Sequence, residues 1–234
     1  MPNAEQYSYV GSELELFSKA VNWKRYWAGR LRPYVHGNVL DVGAGLGATF
    51  DYLADAADSW TCLEPDAQLC AQLAARLASH ARPPQVICGT LEQLPAERKF
   101  DTAVYIDVLE HIEHDAEQVS AVIDRLNPGG TLIVLSPALP FLYSPFDESV
   151  GHFRRYTRQS LAAVAPPSLA LQAWFFLDGL GVLASLFARF AKRSAPTKAQ
   201  VEIWDKTLVP VSRITDALTS RLFGRSIVMV WTKQ

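Results

Sequence analysis

Short apolar runs alternate with segments of helical periodicity up to residue 136. The runs are rich in Val, Leu and Ile and have no continuous polar face, which is typical of parallel strands covered by helices on both sides. The segments between them carry apolar residues at helical spacing. Strands are therefore predicted at 39–42, 60–63, 85–88, 100–106 and 131–135. Helices are predicted at 13–32, 49–56, 67–79 and 117–126.

This alternation changes after Ser136. A proline-rich loop at 137–145 is followed by a mixture of helical and strand patterns, and no linker composition separates them from the preceding residues. Helices are predicted at 157–164, 178–192 and 198–222, and strands at 169–176 and 226–231. We interpret this region as a helical insert and two last strands of the same α/β domain.

The segment from Val39 to Gly47 joins the first strand to a glycine-rich loop and a helix. Glycines leave room for a ligand, and free backbone N–H groups are expected at the start of the helix. Asp41, near the end of the strand, is expected to point into the crevice. Glu64 ends the second strand, at the spacing where a carboxylate can bind both hydroxyls of a ribose. The structural alternative is a tight turn with a solvated Glu64.

The loop alone leaves two classes of cofactor open. Gly43, Gly45 and Ala48 satisfy the relaxed dinucleotide fingerprint, so a nicotinamide- or flavin-dependent oxidoreductase is an alternative. An acidic residue at the mouth of the loop instead favours a ligand with positive charge, such as a sulfonium and an ammonium group. A long helix is also predicted before the loop, so the glycine motif does not open the chain, which argues against a dinucleotide-binding protein.

A set of motifs in fixed order resembles the class I S-adenosylmethionine-dependent methyltransferases. The motifs are VLDVGAGLG, CLEPD, GTLEQLP, FDTAVYIDVLEHIEHD and LNPGGTLIVLSP, and the resemblance covers roughly residues 20–136. The resemblance implies an α/β, Rossmann-like fold: a seven-stranded, mostly parallel sheet with a reversed last strand, helices on both faces and a helical insert before that strand. It also implies one domain over 1–234, comprising a helical lid (1–36), a cofactor-binding core (37–136) and a substrate-side region (137–234).

The same resemblance implies the positions that bind S-adenosyl-L-methionine, with S-adenosyl-L-homocysteine as product. Asp41, Gly43, Ala44 and Gly45 would contact the methionine end, Glu64 the ribose, Pro65, Thr90 and Leu91 the adenine, and Asp107 and Val108 the region of the sulfonium. The chain departs from the common pattern at Thr90, where many relatives have an aspartate for the adenine amino group.

The segment Asp147–Tyr156 resembles the D-E-x-x-G-H-x-R-R-Y stretch of a bacterial methyltransferase subfamily often associated with glycan and secondary metabolism. Arg154 and Arg155 could bind a carboxylate or phosphate of the substrate. His152 and Tyr156 are candidate catalytic groups that could relay a proton. The alternative is that both arginines pair with the acidic residues of this segment and only fix the loop.

Two further pairs of residues have a functional and a structural interpretation. His111 is a candidate catalytic group near the acceptor, whereas His114 is expected on the helix surface. The zinc-protease pattern H-E-x-x-H is absent, so no metal site is predicted. Trp23 and Tyr26 either form an aromatic lid that contacts the substrate or pack in the core.

We therefore predict an enzyme that moves a methyl group to an oxygen or nitrogen nucleophile of a small or medium-sized metabolite. The acceptor is expected to be hydrophobic or anionic, from secondary-metabolite or from glycan- or lipid-linked biosynthesis. For a hydroxyl acceptor, His152 or His111 is the expected base. Besides the oxidoreductase, a non-catalytic domain that binds a partner through the apolar segment 174–190 remains an alternative.

Composition restricts partners and location. A net charge of −2 gives no sign of nucleic-acid binding, and three cysteines without metal-ligand spacing are expected to be reduced thiols of a cytoplasmic protein. No signal peptide is expected. The segment 174–190 contains Asp178 and Arg189, and its uninterrupted apolar part is too short to span a bilayer, so a buried or interfacial helix is expected. Peripheral membrane contact is an alternative. The protein is expected to be a monomer or a homodimer.

Overall fold

The computed structural model describes residues 13–190, 196–219 and 221–234. Within these residues, seven strands form one sheet in the order β3-β2-β1-β4-β5-β7-β6, and β7 runs antiparallel to both of its neighbours. This confirms the predicted sheet and its reversed last strand. The strands are β1 (Asn38–Val42), β2 (Ser59–Glu64), β3 (Gln85–Cys88), β4 (Phe100–Ile106), β5 (Leu126–Pro137), β6 (Leu169–Leu177) and β7 (Ser226–Lys233).

Helices cover both faces of the sheet, and others form the insert between β6 and β7. They are α1 (Glu13–Phe17), α2 (Val21–Leu31), α3 (Ala48–Leu53), α4 (Ala67–Leu77), α5 (Asp115–Ile123), α6 (Pro145–Ser149), α7 (Arg158–Ala162), α8 (Gly179–Phe190), α9 (Lys198–Ile203) and α10 (Val209–Leu218). A π-helical segment, Trp204–Leu208, joins α9 to α10. The helix predicted over 198–222 is therefore present from Lys198 to Leu218, but it contains a π-helical segment and ends earlier than predicted. Pro210 lies in the first turn of α10, where its missing N–H is tolerated.

The predicted helix over 13–32 is also divided, into α1 and α2. The carboxylate of Asp205 accepts hydrogen bonds from the backbone N–H groups of Asn22 (3.2 Å) and Trp23 (2.8 Å) at the start of α2. These N–H groups have no partner inside the helix, so a distant carboxylate caps it. A residue 183 positions away in the sequence thus determines where α2 begins.

Alternate strand residues face two separate hydrophobic clusters. Val39 and Val104 lie in a cluster with Trp27 of α2, whereas Leu40 and Tyr105 face the opposite layer. This two-sided burial explains why the strand sequences are apolar throughout. The carboxyl ends of β1, β2 and β4 consequently lie at one edge of the sheet, where parallel α/β sheets bind ligands.

The prediction that all three cysteines are reduced is wrong. Cys70 of α4 and Cys88 at the end of β3 form a disulfide with a Cα–Cα distance of 5.6 Å, and Cys62 is free and buried. The packing of α4 against β3 brings the two sulfurs together, which the spacing of the cysteines in the sequence did not indicate.

The disulfide predicts the number of reactive thiols. In denaturant without reductant, a thiol reagent should titrate one cysteine per chain, and three after reduction. The Cys70→Ser/Cys88→Ser double variant should lose about 3 kcal/mol of unfolding free energy, because the bond closes a loop of moderate length. The control is Cys62→Ser measured in parallel for the thiol count, which should fall to zero before reduction. Three thiols in the unreduced wild type would contradict the bond.

Among the described residues, no helix has the length and apolar character needed to cross a membrane. The apolar segment 174–190 divides between the end of β6 and α8, with the fully buried Asp178 between them.

Candidate functional site

A cavity of about 1060 Å³ lies at the carboxyl ends of β1, β2 and β4. This is at the upper end of the size of small-molecule sites, so it has room for a nucleoside cofactor and an acceptor together. Its lining includes Gly43, Glu64, Thr90, Asp107, His111 and His152. The sheet edge, the segment after β5 and the helices of the insert all contribute to its wall.

The glycine loop owes its shape to contacts inside the protein. Gly43 has φ +68°, and a Cβ there would lie 2.8 Å from the side chain of Val108, so the close approach requires glycine. The N–H groups of Gly43 and Ala44 both donate to the carbonyl of Leu63, at 2.8 and 3.1 Å. The N–H of Gly45 donates to Glu64 at 2.7 Å. The expectation of free N–H groups at these positions is therefore wrong, although all three residues line the cavity.

Glu64 lies at the end of β2 with its carboxylate held in place. Oε2 accepts from Gly45 and Oε1 accepts from the N–H of Asp66 at 3.0 Å. Burial raises the pKa of Glu64, and these two backbone hydrogen bonds oppose the rise. The structure thus places a fixed acidic group at the cavity wall, where the sequence predicted a ribose-binding carboxylate.

The predicted adenine-binding residues are only partly brought together. Pro65 and Thr90 line the cavity, whereas Leu91 is buried and lies outside the lining. The backbone N–H and the hydroxyl of Thr90 both donate to Gln93 Oε1, at 2.6 and 2.9 Å, so Thr90 closes a turn. Asp66 also lines the cavity, which provides an acidic group in this region that the sequence analysis did not select.

Asp41 does not point into the crevice, in contrast to the prediction. Its side chain is buried on the same face of β1 as Val39, accepts a hydrogen bond from Trp60 Nε1 at 3.3 Å and lies outside the cavity lining. Burial raises the pKa of Asp41 to about 8, with the hydrogen bond from Trp60 opposing the rise.

Asp107 and Val108 follow β4 at the centre of the cavity wall. Asp107 has φ +53°, a left-handed conformation that is uncommon for residues other than glycine and is found at functional sites. Asp107 lines the cavity and is exposed. Removal from bulk water raises the pKa of Asp107 to about 6, and the neighbouring His152, Arg225 and Arg155 act against this rise.

His152 is oriented by the buried carboxylate of Asp147. His152 Nδ1 lies 2.9 Å from Asp147 Oδ1, and Arg155 donates to both oxygens of Asp147 at 2.8 and 3.1 Å. Burial alone would raise the pKa of Asp147, but the hydrogen bonds and charges of His152 and Arg155 hold it at about 2. Arg155 therefore pairs with Asp147, as the structural alternative predicted, although it also lines the cavity.

Arg154 and Tyr156 lie outside the cavity lining. Arg154 forms an ion pair with Asp115 at 2.8 Å, and the hydroxyl of Tyr156 donates to the same carboxylate at 2.8 Å. Both residues thus fix the segment 147–156 against the start of α5. Neither residue lies where the predicted substrate-binding role of Arg154 or the predicted catalytic role of Tyr156 would place it.

His111 and His152 come together at the cavity wall. Their ring centroids are 4.6 Å apart in an edge-to-face arrangement. Burial, followed by the nearby His152, lowers the pKa of His111 to about 4. Glu110 is fully buried beside them, with its Oε1 4.0 Å from His152 Nε2. The sequence analysis did not select Glu110, although an acidic residue within the apolar context of VLEHI was a signal for it. His114 is exposed, as predicted.

The two aromatic residues of α2 have different surroundings. Trp23 lines the cavity, together with Leu14 and Phe17 of α1. Tyr26 is buried outside the lining and donates to Asp216 Oδ2 at 2.9 Å. The functional interpretation therefore fits Trp23, and the core-packing interpretation fits Tyr26.

Comparison with known proteins agrees with this geometry. A family model for a methyltransferase domain matches residues 40–132, which contain the glycine loop, Glu64, Asp107 and the pair Glu110–His111. In sequence and in fold, the chain is similar to the class I S-adenosylmethionine-dependent methyltransferases. The cofactor of this family is S-adenosylmethionine, and neither the family match nor the relatives below support the oxidoreductase alternative.

Two curated relatives are similar in sequence to this chain. A tRNA U34 carboxymethyltransferase of Shewanella loihica is 29% identical over 162 residues, which cover 65% of this chain and 48% of the relative. A probable S-adenosylmethionine-dependent methyltransferase of Mycolicibacterium smegmatis is 29% identical over 184 residues, covering 74% and 68%. The chain thus spans about half the length of the first relative and two thirds of the second.

A solved structure has the same fold as this chain. The N-methyltransferase NodS of Bradyrhizobium japonicum, in complex with S-adenosyl-L-homocysteine, has a TM-score of 0.60 and 12% identity. The similarity covers 98% of this chain and 94% of NodS. The overall architecture is therefore shared despite the low identity.

Proposed function

We propose that this protein transfers the methyl group of S-adenosylmethionine to an oxygen or nitrogen nucleophile of a small or medium-sized acceptor. One observation carries the proposal. A single cavity joins the cofactor edge, marked by Gly43 and Glu64, to a second polar group formed by His111 and His152. Donor and acceptor can therefore meet in one site.

The cofactor edge fits a cationic nucleoside. Glu64 lines the cavity and is proposed to bind the ribose hydroxyls, and Pro65 and Thr90 line the region that we assign to the adenine. Asp107 and Val108, next to Gly43, are proposed to flank the sulfonium. Three carboxylates on one wall, those of Glu64, Asp66 and Asp107, attract a positively charged ligand and disfavour the phosphates of a dinucleotide.

The cofactor supplies a methyl group that is already activated, because a neutral thioether is the leaving group. In the transfer, the acceptor atom forms a bond to the methyl carbon, the carbon–sulfur bond breaks and its electron pair stays on sulfur. The protein then has to hold the acceptor in line with that bond and to exclude water, and such orientation can contribute about 7–11 kcal/mol. His111 and His152 are the groups we assign to the acceptor side.

The wall around these histidines indicates the kind of acceptor. Leu142, Phe146 and Val150 from the segment after β5 and Trp204 from the insert give it an apolar surface, while Arg155 and Arg225 provide positive charge. A hydrophobic or anionic metabolite, including a lipid-linked glycan, fits this combination. One relative is named for a tRNA, so the absence of a nucleic-acid partner stays a prediction.

Replacing Glu64 with Gln should weaken the binding of S-adenosylhomocysteine at least tenfold, which corresponds to about 1.4 kcal/mol. The amide keeps the shape of the side chain but loses the charge and one acceptor for the ribose hydroxyls. Isothermal titration calorimetry on the purified protein measures the change. Glu92→Gln, at an exposed position outside the cavity lining, is the matched control and should bind like the wild type.

The same titration separates the proposed activity from the oxidoreductase. The wild type should bind S-adenosylhomocysteine in a saturable manner and show no comparable binding of NADH or NADPH. Absence of S-adenosylhomocysteine binding, or equal binding by Glu64→Gln and the wild type, would contradict the assignment of the cofactor edge.

A further inference from the structure

Glu110 is a buried acid without a hydrogen-bond partner. It is 0% exposed, and neither carboxylate oxygen accepts a hydrogen bond within the described part of the chain. It lines the cavity with His111 and His152, so its side chain belongs to the acceptor end of the site. An unpaired buried carboxyl group is costly, and buried polar groups in native proteins nearly always have a partner, which can be an ion.

The potential ligand atoms of Glu110, His111 and His152 lie close enough together for one ion to bind all three. One potential ligand atom from each of Glu110, His111 and His152 lies within 4.8 Å of the others, and His152 Nε2 is 4.0 Å from Glu110 Oε1. Metal–nitrogen and metal–oxygen bonds are about 2.0–2.2 Å long, so two ligands of one ion are separated by up to about 4 Å. A small inward movement of the side chains would complete the geometry.

Hydrogen bonds within the protein orient both histidine rings. His152 Nδ1 bonds the carboxylate of Asp147, which Arg155 holds in turn. The backbone of Gly151 bonds the ring of His111. Metal-binding histidines almost always use their second nitrogen in this way, with a carboxylate or a backbone carbonyl as partner. His152 Nε2 is thereby directed toward Glu110.

We infer that Glu110, His111 and His152 form a binding site for a divalent first-row transition metal ion such as Zn²⁺ or Mn²⁺. Two imidazole nitrogens and one carboxylate oxygen suit such ions, and three protein ligands leave coordination positions open toward the cavity. The exposed His114 takes no part, so the site does not use the H-x-x-H spacing of the sequence. Its residues come from the segment after β4 and the segment after β5.

The inference rests on the proposed function and narrows it to an oxygen acceptor. An ion at this position would bind the acceptor hydroxyl and stabilise the deprotonated oxygen once the proton has left for the bulk water outside the site. The oxygen then forms its bond to the methyl carbon while the carbon–sulfur bond breaks and the electron pair remains on sulfur. Charges and atoms balance without a further reactant.

The test is a titration of untagged protein, freed of metal with a chelator, with ZnCl₂ and MnCl₂ by calorimetry. The visible absorption of Co²⁺ serves as a direct readout of coordination. The wild type should bind one ion per chain. Glu110→Gln and His111→Asn should each weaken binding at least tenfold, whereas the exposed control His114→Asn should leave it unchanged.

Thermal unfolding of the metal-free proteins shows whether each variant is folded before metal is added. Glu110→Gln removes an unpaired acid, so it should fold at least as well as the wild type without metal. Added Zn²⁺ or Mn²⁺ should raise the Tm of the wild type, because the ion binds only the folded state, and should not raise that of Glu110→Gln.

A wild type that binds no ion, or a Glu110→Gln variant that binds it as tightly, would overturn the inference. In the first case Glu110 would be a neutral, protonated acid. Titration of the metal-free wild type with S-adenosylhomocysteine reports on the proposed function separately. Normal binding of S-adenosylhomocysteine without any metal binding contradicts only the metal site, and the reverse result contradicts only the cofactor assignment.

Discussion

Asp41→Asn is expected to stabilise the cofactor-free protein by up to about 4 kcal/mol at pH 7. Burial raises the pKa of Asp41 to about 8. In the unfolded chain the same group titrates near pH 4. Between these values the folded protein keeps a proton that the unfolded chain has lost, so stability falls as pH rises, by about 1.4 kcal/mol per pH unit. Asparagine cannot ionise and keeps an oxygen that can accept from Trp60 Nε1.

The pH dependence distinguishes this cause from a change in packing. The difference in unfolding free energy between variant and wild type should be small near pH 4, grow through neutral pH and level off above pH 8. Urea unfolding at several pH values measures it. Asp58→Asn, at an exposed position, is the matched control and should show no such slope. A difference that is independent of pH would contradict the assigned ionisation.

The sheet could be predicted because its signal is local. Each of the first five strands is an apolar run that ends in a turn or a glycine, and the burial of both faces follows from that composition. The division of the predicted first helix could not be predicted, because it depends on Asp205 reaching Asn22 and Trp23 from the insert. The disulfide between Cys70 and Cys88 likewise depends on the packing of two elements.

The candidate site was predicted best where a residue directly follows a strand. Glu64 and Asp107 do so, and both line the cavity. Asp41 lies inside β1, and the alternation of the strand places it on the Val39 face, away from the cavity. Asp41 follows Val39 by two positions, and residues two positions apart in a strand face the same side of the sheet. The sequence therefore already indicated that Asp41 lies on the Val39 face.

Arginine and acid pairs could not be assigned from the sequence. Two adjacent arginines follow two adjacent acids, yet Arg155 pairs with Asp147 while Arg154 pairs with Asp115. Backbone direction in the segment 147–156 decides which of the two faces the cavity. Glu110 was missed for a related reason, since its burial beside His152 depends on how this segment folds back over the end of β4.

Asp216→Ala is expected to lower the free energy of unfolding by about 3–5 kcal/mol. Asp216 is 1% exposed and accepts hydrogen bonds from the hydroxyl of Tyr26 at 2.9 Å and from the N–H groups of Asp178 and Gly179 at 2.7 and 2.9 Å. The substitution leaves three donors of the buried interior without an acceptor, each at a cost of about 1–3 kcal/mol. Asp58→Ala, at an exposed position, should change stability by less than about 0.5 kcal/mol.

A second variant separates the two parts of this effect. Tyr26→Phe removes only the hydrogen bond between α2 and α10, so it should cost about 1 kcal/mol and leave the start of α8 intact. Because α2 carries Trp23 of the cavity wall, Asp216→Ala should also weaken the binding of S-adenosylhomocysteine more than Tyr26→Phe does. Urea unfolding and calorimetry measure both quantities. Equal stability losses in the two variants would show that the N–H groups of Asp178 and Gly179 find other acceptors, and that Asp216 acts through Tyr26 alone.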